Sequence, residues 1–267
     1  MRAEIKMTQA YTKISIVTPS YNQAKFLDQA IRSVIDQNYP NFEHIIFDNC
    51  STDGTLNILK KYPHLIWISE PDQGQSDALN KGFRKATGEF VGWLNADDRY
   101  LPNCFSSVIK TLQGHSECDV LYGDYRWIDE KGDLIKFRRE IDFDLFIFKY
   151  LHVTYIPSTA TFFKRDIFEE DNFLDTNYKL ANDFELFLKL ASKGYRFMHL
   201  GAFLADYRWH AESKSELNKN RQIREKEKAL ILHDKVMQKM YKPILPAVRF
   251  LFMLAARTKR AFLKLLI

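Results

Sequence analysis

Short apolar runs alternate with amphipathic stretches through the first half of the chain. Five runs rich in β-branched and aromatic residues predict strands at residues 13–18, 42–47, 65–69, 89–94 and 119–123. Four stretches between them carry apolar side chains at helical spacing and predict helices at residues 26–37, 54–62, 75–86 and 103–112. Repeated strand–helix units of this length are typical of a parallel sheet with right-handed crossovers, so we expect an α/β domain.

The second half of the chain has a different pattern. Its apolar runs predict a hairpin from residues 125–128 and 134–138, and strands at 159–164, 195–200 and 207–210. Helices are predicted at residues 142–150 and 183–192, and the pattern is helical again from residue 216, interrupted by Pro243 and Pro246. We therefore predict an α/β domain over residues 1–215 and a helical C-terminal extension over residues 216–267.

Polar side chains gather in the loops that follow four of the predicted strands. These loops are residues 18–22, 48–55, 70–77, with Asn80 and Gly82 one turn further on, and 95–98. Because the carboxyl ends of parallel strands meet at one edge of a sheet, where such sheets bind ligands, the four loops are expected to converge. Tyr21 offers a ring that can stack on a base, and Asp48 can accept a hydrogen bond from a base N–H. Taken singly, a packed loop aromatic and a helix-capping acid explain these two residues equally well.

The fourth loop carries the most specific chemistry. A buried apolar run, Glu89-Phe-Val-Gly-Trp-Leu94, continues directly into Asn95, Asp97 and Asp98. Two adjacent acids with an amide two residues earlier suit a hard divalent cation, Mg²⁺ or Mn²⁺, shared with substrate phosphates. A solvated Asp-Asp turn is the alternative, since Asp favours turns.

Composition excludes several other classes of protein. The chain has 267 residues with 46% hydrophobic content, which is enough for one large or two small domains. A net charge of +5 is too weak to indicate nucleic acid, but it is compatible with a nucleotide ligand or an anionic membrane surface. No Gly-x-Gly-x-x-Gly follows the first strand and no Walker A loop occurs, so the common dinucleotide and P-loop folds are disfavoured.

Targeting features predict a cytoplasmic protein. The three cysteines, Cys50, Cys104 and Cys118, lack CxxC spacing and are expected to be reduced thiols. The N-terminal residues lack the apolar run of a signal peptide. No uncharged stretch approaches the roughly 20 residues needed to cross a bilayer.

Six motifs in order resemble those of family 2 glycosyltransferases. They are Pro19-Ser-Tyr-Asn22, Asp48-x-x-Ser-x-Asp-Gly-Thr55, Gly74 to Gly82, Gly88 to Asp98 with its DxD-like end, Asn182-Asp183-Phe-Glu-Leu, and Tyr207-Arg-Trp-His210. The resemblance covers residues 13–215. It implies a GT-A fold, with a mostly parallel central sheet flanked by helices, and an inverting transferase that uses a nucleotide sugar and Mn²⁺ or Mg²⁺. A UDP-sugar is expected from its frequency in the family.

The resemblance also implies roles for individual residues. Nucleotide-sugar contacts are expected from Pro19, Tyr21, Asn22, Asp48, Asp77, Asn80, Asn95, Ala96 and Asp97. Asp97 would bind the metal, His210 could complete its shell, and Asp183 would be the general base that deprotonates the acceptor hydroxyl. From the residues alone, a helix cap explains Asp183 better than a base does, and a packed loop histidine explains His210 as well as a metal ligand does.

Two positions depart from the family pattern. Asn95 stands where the first acid of the DxD motif is usual, at a position that commonly contacts the ribose, as an amide can also do. Asn182 replaces a common acid beside the predicted base, which leaves Asp183 with less upward pressure on its pKa from like charge. Neither change removes the metal-binding acid or the base.

Two other function classes stay open at the level of the sequence. A nucleotidyltransferase could share the sheet, the metal and the nucleotide, but it would not need a base like Asp183 and would usually carry a glycine-rich phosphate loop. An inactive sugar-binding protein would be expected to have lost Asp97 or Asp183, and both are present. Release of nucleoside diphosphate rather than pyrophosphate separates transfer from the first class, and any turnover excludes the second.

The C-terminal residues 244–267 predict an amphipathic helix. At about 100° per residue, Arg249, Arg257, Arg260 and Lys264 fall in one sector. Phe250, Leu251, Leu254, Ala255, Phe262, Leu265 and Leu266 fall on the opposite side. This pattern suits a helix in the interface of an anionic membrane, and a helix packed on the domain with its cations in water is the alternative. Since many bacterial relatives extend lipid-linked glycans, we expect a peripheral enzyme on the inner face of the cytoplasmic membrane, acting in surface polysaccharide biosynthesis.

Overall fold

The computed structural model describes residues 11–151, 155–210, 218–234 and 245–265, with side chains from residue 250 onward in the last range. Its centre is one nine-stranded sheet. The strands are β1 (Ile14–Ser20), β2 (Phe42–Asp48), β3 (Leu65–Ser69), β4 (Phe90–Trp93), β5 (Arg99–Tyr100), β6 (Val120–Ile128), β7 (Leu134–Arg138), β8 (Thr161–Lys164) and β9 (Phe197–Arg208).

The sheet is parallel in its first part and mixed in its second. The strand order is β3-β2-β1-β4-β8-β6-β9-β5, with β7 paired to β6. The strands β1 to β4 are parallel, as the strand–helix alternation predicts. The strand β8 then inserts antiparallel between β4 and β6, so the fifth predicted strand does not continue the parallel series. A mixed sheet with helices on its faces confirms the predicted fold class.

Two long strands replace four shorter predicted ones. The strand β6 joins the predicted strand at 119–123 to the first strand of the hairpin, and β9 joins the segments predicted at 195–200 and 207–210. Gly123 lies at a register shift between these strands, and a Cβ added there would come within 2.5 Å of the Leu204 side chain. The glycine is therefore required by close packing between strands and does not end a strand.

Helices cover both faces of the sheet. They are α1 (Leu27–Ile35), α2 (Thr55–Leu59), α3 (Gln75–Lys85), α4 (Cys104–Gly114), α5 (Leu145–Tyr150), α6 (Asp166–Glu169), α7 (Asn182–Lys193), α8 (Lys219–His233) and α9 (Leu245–Lys264). Successive strand residues point to opposite faces. Ile16 therefore packs with α1 and α4, whereas Val17 packs in the core that α3, α5 and α7 share.

The C-terminal helices pack on the α/β domain. The helix α8 lies against α7, and α9 lies against α5, where the Phe252 ring contacts Phe146 and Tyr150 with centroids 5.7 and 4.8 Å away. Within the described ranges, no helix combines the length and the apolar character required to cross a bilayer. Of the predicted basic and apolar faces of the tail, the Arg249 and Leu266 side chains lie outside the described residues.

Candidate active site

A cleft of about 370 Å³ opens at the carboxyl edge of β1 and β4, where the sequence predicted convergent loops. We call it the donor cleft. It is lined by Pro19, Ser20, Tyr21, Gln23, Asn49, Asp72, Gly74, Gln75, Ala78, Trp93, Asn95, Ala96, Asp97, Ser158, Lys179, Leu180, Asn182, Asp183, Tyr207, His210 and Gln222. The structure therefore brings the predicted metal ligands and the predicted base to one cavity.

The predicted site residues divide into two groups. Those that line the donor cleft are Pro19, Tyr21, Asn95, Ala96, Asp97, Asp183 and His210. The others, Asn22, Asp48, Asp77 and Asn80, lie outside its lining. Their contacts show that they shape the loops around the cleft, and no direct contact with a nucleotide sugar follows from their positions.

Asp48 illustrates this supporting role. Its buried carboxylate accepts hydrogen bonds from the backbone N–H and the hydroxyl of Ser51, and from the hydroxyl of Ser69. These bonds hold the loops after β2 and β3 together. The next residue, Asn49, lines the cleft instead. A hydrogen bond from the nucleotide base to Asp48 stays a prediction. Because Asn49 lines the cleft and Asp48 does not, the structure favours Asn49 for that contact.

Asn80, Asn22 and Asp77 also form hydrogen bonds with backbone groups. Asn80 is buried and pairs with both backbone polar groups of Leu174, at 2.9 Å each. The Asn22 side chain accepts from the backbone N–H of Thr52, and Asp77 accepts from that of Gln73 at 3.1 Å. The bonds of Asn80 and Asn22 join distant segments and that of Asp77 is local, and residue type alone could not separate any of them from ligand contacts.

Asp97 and His210 form the polar centre of the donor cleft. The His210 Nε2 atom lies 3.1 Å from the Asp97 Oδ2 atom. The Asp97 carboxylate is partly exposed to the cleft, whereas His210 is almost buried and its ring packs 5.3 Å from the ring of Phe26. These two side chains are 113 residues apart in the sequence.

Asp98 has a structural role in the same loop. It is buried, and its carboxylate accepts from the backbone N–H of Arg208 at 2.8 Å and from the Asn95 side-chain amide at 2.9 Å. Burial, with a further contribution from the negative charge of Asp97, raises the pKa of Asp98 well above its usual range. Asn95 thus supplies a donor that an aspartate could not, which gives a physical reason for the amide at this position.

Arg208 fixes the loop that carries both acids. Its side chain donates to the backbone carbonyl oxygens of Asp97, Asp129 and Glu130, and to the side-chain oxygen of Gln29, at 2.7 to 3.0 Å. Arg208 is buried, and its guanidinium group lies 4.8 Å from the Phe26 ring. Arg208, two positions before His210 on the same chain segment, therefore holds the backbone of Asp97 next to His210.

The predicted base lies in the first turn of α7. Asp183 is partly buried, and the helix begins without a side-chain cap, because the N-cap position is Ala181. The Asp183 carboxylate accepts from the backbone N–H of Phe184 at 2.7 Å. Burial raises the pKa of Asp183, and the nearby Lys226 ammonium opposes that shift. The N-cap interpretation of Asp183 is therefore wrong, and a carboxyl group with a raised pKa faces the cleft.

The helix α8 builds the wall beside Asp183. The Glu225 carboxylate accepts from three consecutive backbone N–H groups, those of residues 179, 180 and 181, at 2.8 to 3.2 Å. Gln222 lines the cleft and donates to the carbonyl oxygen of Leu180, and Lys226 lies near Asp183. Part of the predicted C-terminal extension thus belongs to the site. The helical pattern of α8 in the sequence did not indicate this role.

A hard divalent cation fits the pair of Asp97 and His210. The His210 Nε2 and Asp97 Oδ2 atoms lie 3.1 Å apart and both face the cleft, so the two side chains would be able to hold one ion together. The carboxylate is a usual ligand of such an ion, whereas an imidazole is more typical of Zn²⁺, Cu²⁺, Fe²⁺ or Ni²⁺. Within the part of the chain that the structure describes, no group of three or more His, Cys, Asp or Glu side chains could hold a metal. Substrate and water oxygens would therefore have to complete the coordination.

Comparison with known proteins places this fold and site in one family. The profile of the glycosyl transferase family 2 matches residues 15–171. The chain is 29% identical over 209 residues to TuaG of Bacillus subtilis, which is named as a teichuronic acid biosynthesis glycosyltransferase, and the match covers 76% of this chain and 81% of TuaG. It is 30% identical over 189 residues to an uncharacterized glycosyltransferase of Mycobacterium tuberculosis, which covers 69% of this chain and 71% of the relative. In a longer relative from Rickettsia typhi, the match spans 58% of the protein.

Solved structures support the fold. The TarS fragment 1–349 of S. aureus in complex with UDP has a TM-score of 0.64 and 19% identity, with 90% of this chain and 69% of that chain covered. The mannosyltransferase PcManGT of Pyrobaculum calidifontis, in complex with GDP-Man and Mn²⁺, has a TM-score of 0.68 and 20% identity, covering 93% and 70%. The match of the family profile over more than half of this chain confirms the family that the motifs indicated, and these likenesses confirm the fold. The chain belongs to glycosyltransferase family 2 and has the GT-A-like fold of its members.

Proposed function

We propose that this glycosyltransferase moves a sugar from a nucleoside diphosphate sugar to a glycan acceptor with inversion at the anomeric carbon. UDP is the proposed nucleotide. The observation that carries the proposal is the presence of the Asp97–His210 pair and Asp183 in the same cleft. The Asp97–His210 pair suits the diphosphate end of a donor. The Asp183 carboxyl group, the second in the cleft, suits proton removal from an acceptor. Neither a nucleotidyltransferase nor a sugar-binding protein requires this second carboxyl group.

The donor side of the cleft offers groups for a nucleotide. The Tyr21 ring is 56% exposed at the lining of the cleft, so a base can stack on it. Asn49 places an amide in the same lining. The buried Ser20 hydroxyl has no hydrogen-bond partner among the described residues, and an oxygen or nitrogen of the donor would satisfy it.

The leaving group develops negative charge when the bond from the sugar to the diphosphate breaks. Asp97 and His210 would hold Mn²⁺ or Mg²⁺, which as a Lewis acid would stabilise this charge on the phosphate oxygens. Lys179 adds a positive charge to the lining, and its ammonium group already donates to the Gln73 carbonyl at 2.6 Å. Both features favour departure of the nucleoside diphosphate.

Asp183 completes the reaction on the acceptor side. The acceptor hydroxyl oxygen attacks the anomeric carbon as the carbon–oxygen bond to the diphosphate breaks, and the hydroxyl proton passes to the Asp183 carboxylate. Attack on the face opposite the leaving group inverts the anomeric configuration. Burial raises the Asp183 pKa, which makes its carboxylate a stronger base than a solvated one.

The acceptor and the location are proposed from the relatives and from α9. The names of TuaG and TarS belong to those proteins, but the TuaG name supports a role for this chain in surface polysaccharide biosynthesis. Five apolar side chains of α9 are 43 to 84% exposed, namely Phe250, Leu251, Leu254, Phe262 and Leu265. We call them the apolar face of α9. Such a face beside basic residues suits a membrane interface, so we propose a peripheral enzyme that extends a lipid-linked glycan.

The decisive experiment is a panel of nucleotide sugars assayed with Mn²⁺ for release of nucleoside diphosphate. Diphosphate release with a donor, and an inverted linkage in the product, support the proposal. Pyrophosphate release would indicate a nucleotidyltransferase instead. Absence of turnover with every donor and with glycan or lipid-linked acceptors would contradict sugar transfer and favour a binding protein.

The membrane proposal has its own experiment. Replacing Leu251 and Phe262 by serine removes two exposed apolar side chains and leaves the packed Phe252 in place. Co-sedimentation with anionic vesicles should weaken, because less apolar area is buried in the interface. Leu134→Ser with Ile135→Ser, on the exposed strand β7, is the matched control. Equal binding by wild type and the α9 variant would exclude the apolar face as the membrane contact.

A further inference from the structure

A second pocket lies between the end of β7 and α9, and it shares no residue with the donor cleft. It has a volume of about 240 Å³ and is lined by Arg138, Leu151, Arg257, Arg260, Ala261 and Lys264. We call it the cationic pocket. Four of its six lining residues are cations, so its chemistry points to an anionic ligand.

The cationic pocket carries more positive charge than its protein contacts neutralise. The fully buried Glu140 carboxylate contacts Arg138 at 3.1 Å, Arg260, and Lys264 at 3.4 Å. One carboxylate thus faces three cations. Arg257 is exposed and makes no hydrogen bond or ion pair within the described residues. The pocket thus holds four cations against one carboxylate, an excess of three positive charges among the described residues.

Unsatisfied donors in the pocket provide an independent observation. The Nε atoms of Arg138 and Arg260 are buried and have no hydrogen-bond acceptor within the described residues. Leaving such a group unpaired is costly. Burial, followed by repulsion from Arg260 and Arg138, lowers the pKa of Lys264 against the opposing effect of Glu140. An anion with several acceptor oxygens would accept hydrogen bonds from the unpaired Nε atoms and would also offset the repulsion among the cations.

We infer that the cationic pocket binds a phosphate group carried by a membrane lipid. Phosphate oxygens match the planar fork of an arginine with paired hydrogen bonds, which makes phosphate a better fit than a spherical anion. This inference rests on the proposed membrane association of α9, and it does not depend on the sugar-transfer chemistry.

The arrangement of α9 favours a lipid as the source of the phosphate. At about 100° per residue, Arg257, Arg260 and Lys264 occupy the sector between the face packed on α5 and the apolar face. A helix lying in the interface with its apolar face among acyl chains would place these cations at the level of the headgroups. A free phosphate ion would make no use of the adjacent apolar face.

Vesicle binding by the full chain tests this inference. The vesicles are phosphatidylcholine alone, or phosphatidylcholine with phosphatidic acid, which exposes a terminal phosphate. Arg257→Gln combined with Lys264→Gln removes two cations from the pocket. At about 1 kcal/mol per cation near the surface, affinity for the phosphatidic acid vesicles should fall by roughly 30-fold.

A matched control separates the pocket from general charge. Lys60→Gln combined with Lys61→Gln removes the same charge from the exposed end of α2, near the opposite edge of the sheet. Its affinity should stay within about 3-fold of wild type, since exposed charges beyond a Debye length are screened. Arg257→Lys keeps the charge but loses the fork, so it should still weaken binding. Equal losses in both double variants, or no loss in Arg257→Lys, would show diffuse attraction and overturn the site.

Soluble glycerol 3-phosphate distinguishes the two sources of phosphate. If calorimetry shows that it binds wild type and not the pocket variant, while phosphatidic acid vesicles do not bind, the lipid assignment is wrong. Vesicle binding that depends on the pocket supports it. Donor hydrolysis is measured in parallel and should be unchanged in the pocket variants. A wild-type chain that binds vesicles but turns over no donor with any glycan or lipid-linked acceptor would contradict the proposed transferase while leaving the lipid site intact.

Discussion

The two walls of the donor cleft are built in different ways. The wall formed by the loops after β1, β2 and β4 includes hydrogen bonds between side chains that are close in sequence, such as Asp48 with Ser51 and Asn95 with Asp98, although Arg208 of β9 also holds its last loop. The wall that carries Asp183 depends on a contact across the fold, in which Glu225 binds backbone N–H groups 44 to 46 residues away. Local loops can therefore be recognised as motifs, whereas the second wall is completed only by packing.

The walls also differ in the state of their carboxyl groups. Asp97 is partly exposed and lies beside His210, as suits a charged metal ligand. Asp183 is partly buried, and burial raises its pKa, as suits a group that accepts a proton. Changing one carboxyl group in each wall should therefore produce different kinetic defects, and the largest is expected on the metal side.

Asp97→Ala should lower metal-dependent turnover by at least about 10³-fold, because the leaving group loses its main source of charge stabilisation. Asp98 cannot replace it, since that carboxylate is buried and already accepts two hydrogen bonds. Diphosphate release is measured over a range of Mn²⁺ concentrations. Asp36→Ala removes an exposed acid outside the cleft lining and is the control. Near-wild-type rates for Asp97→Ala with Mn²⁺ would reject the metal assignment.

Asp183→Asn should lower kcat by roughly 10²-fold or more and leave donor affinity intact, as for loss of a general base. In wild type, kcat should fall as pH drops through the raised pKa of Asp183, and this acid limb should be absent in the variant. If donor affinity collapses while kcat is kept, the residue is structural and the base lies elsewhere.

The same variant should stabilise the fold at neutral pH. A folded-state pKa above the unfolded value means that Asp183 favours folding while it is protonated, and that this contribution is lost as pH rises through the raised pKa. The neutral amide avoids that loss. Denaturant unfolding of both proteins at neutral pH checks this, and a destabilised variant would argue against a burial-raised pKa.

Glu225→Gln tests whether the second wall depends on α8. The amide keeps an acceptor oxygen but loses the charge that three backbone N–H groups share, so the loop at 179–181 should loosen and move the neighbouring Asp183. We expect roughly 10-fold lower kcat with little change in Mn²⁺ dependence, because misplacing a reacting group lowers the rate. The exposed Glu117→Gln is the control. Unchanged kcat for Glu225→Gln would show that the wall does not need this contact.

The smallest effect is expected for Asn95→Asp, which restores the usual acid of the DxD motif. The amide donor to the buried Asp98 would be lost, and two carboxylates would meet where a 2.9 Å hydrogen bond now lies. Unfolding free energy at neutral pH should fall by about 1 kcal/mol and recover partly as pH is lowered. A variant with unchanged stability would show that Asn95 does not serve Asp98.

Much of the fold and the centre of the site could be predicted from the sequence. The strands β1 to β4 and their helices follow from hydrophobic periodicity, because each unit is completed within a short stretch of chain. The lining positions of Tyr21, Asp97, Asp183 and His210 follow from motifs at strand and helix ends. The composition of α9 likewise indicated one basic and one apolar face.

Tertiary structure alone decided which polar residues face the cavity. Asp48 and Asn80 have the same residue types as ligand contacts, yet their hydrogen bonds to Ser69 and Leu174 direct them into supporting roles. It also decided that β6 and β9 are long strands, since Gly123 is required by contact with Leu204. Partners this far along the chain leave no local pattern.

The same distinction applies to the C-terminal helices. The sequence determined that they are helical and where their cations lie, because amphipathic spacing is a local property. Only the folded chain placed Glu225 beside the backbone that precedes α7. The fold also placed the Arg260 and Lys264 side chains against Glu140, whereas the sequence pattern was equally consistent with cations in water. The physical reason is that a buried carboxylate stabilises whichever donors the packing brings to it, and that packing is set by the whole fold.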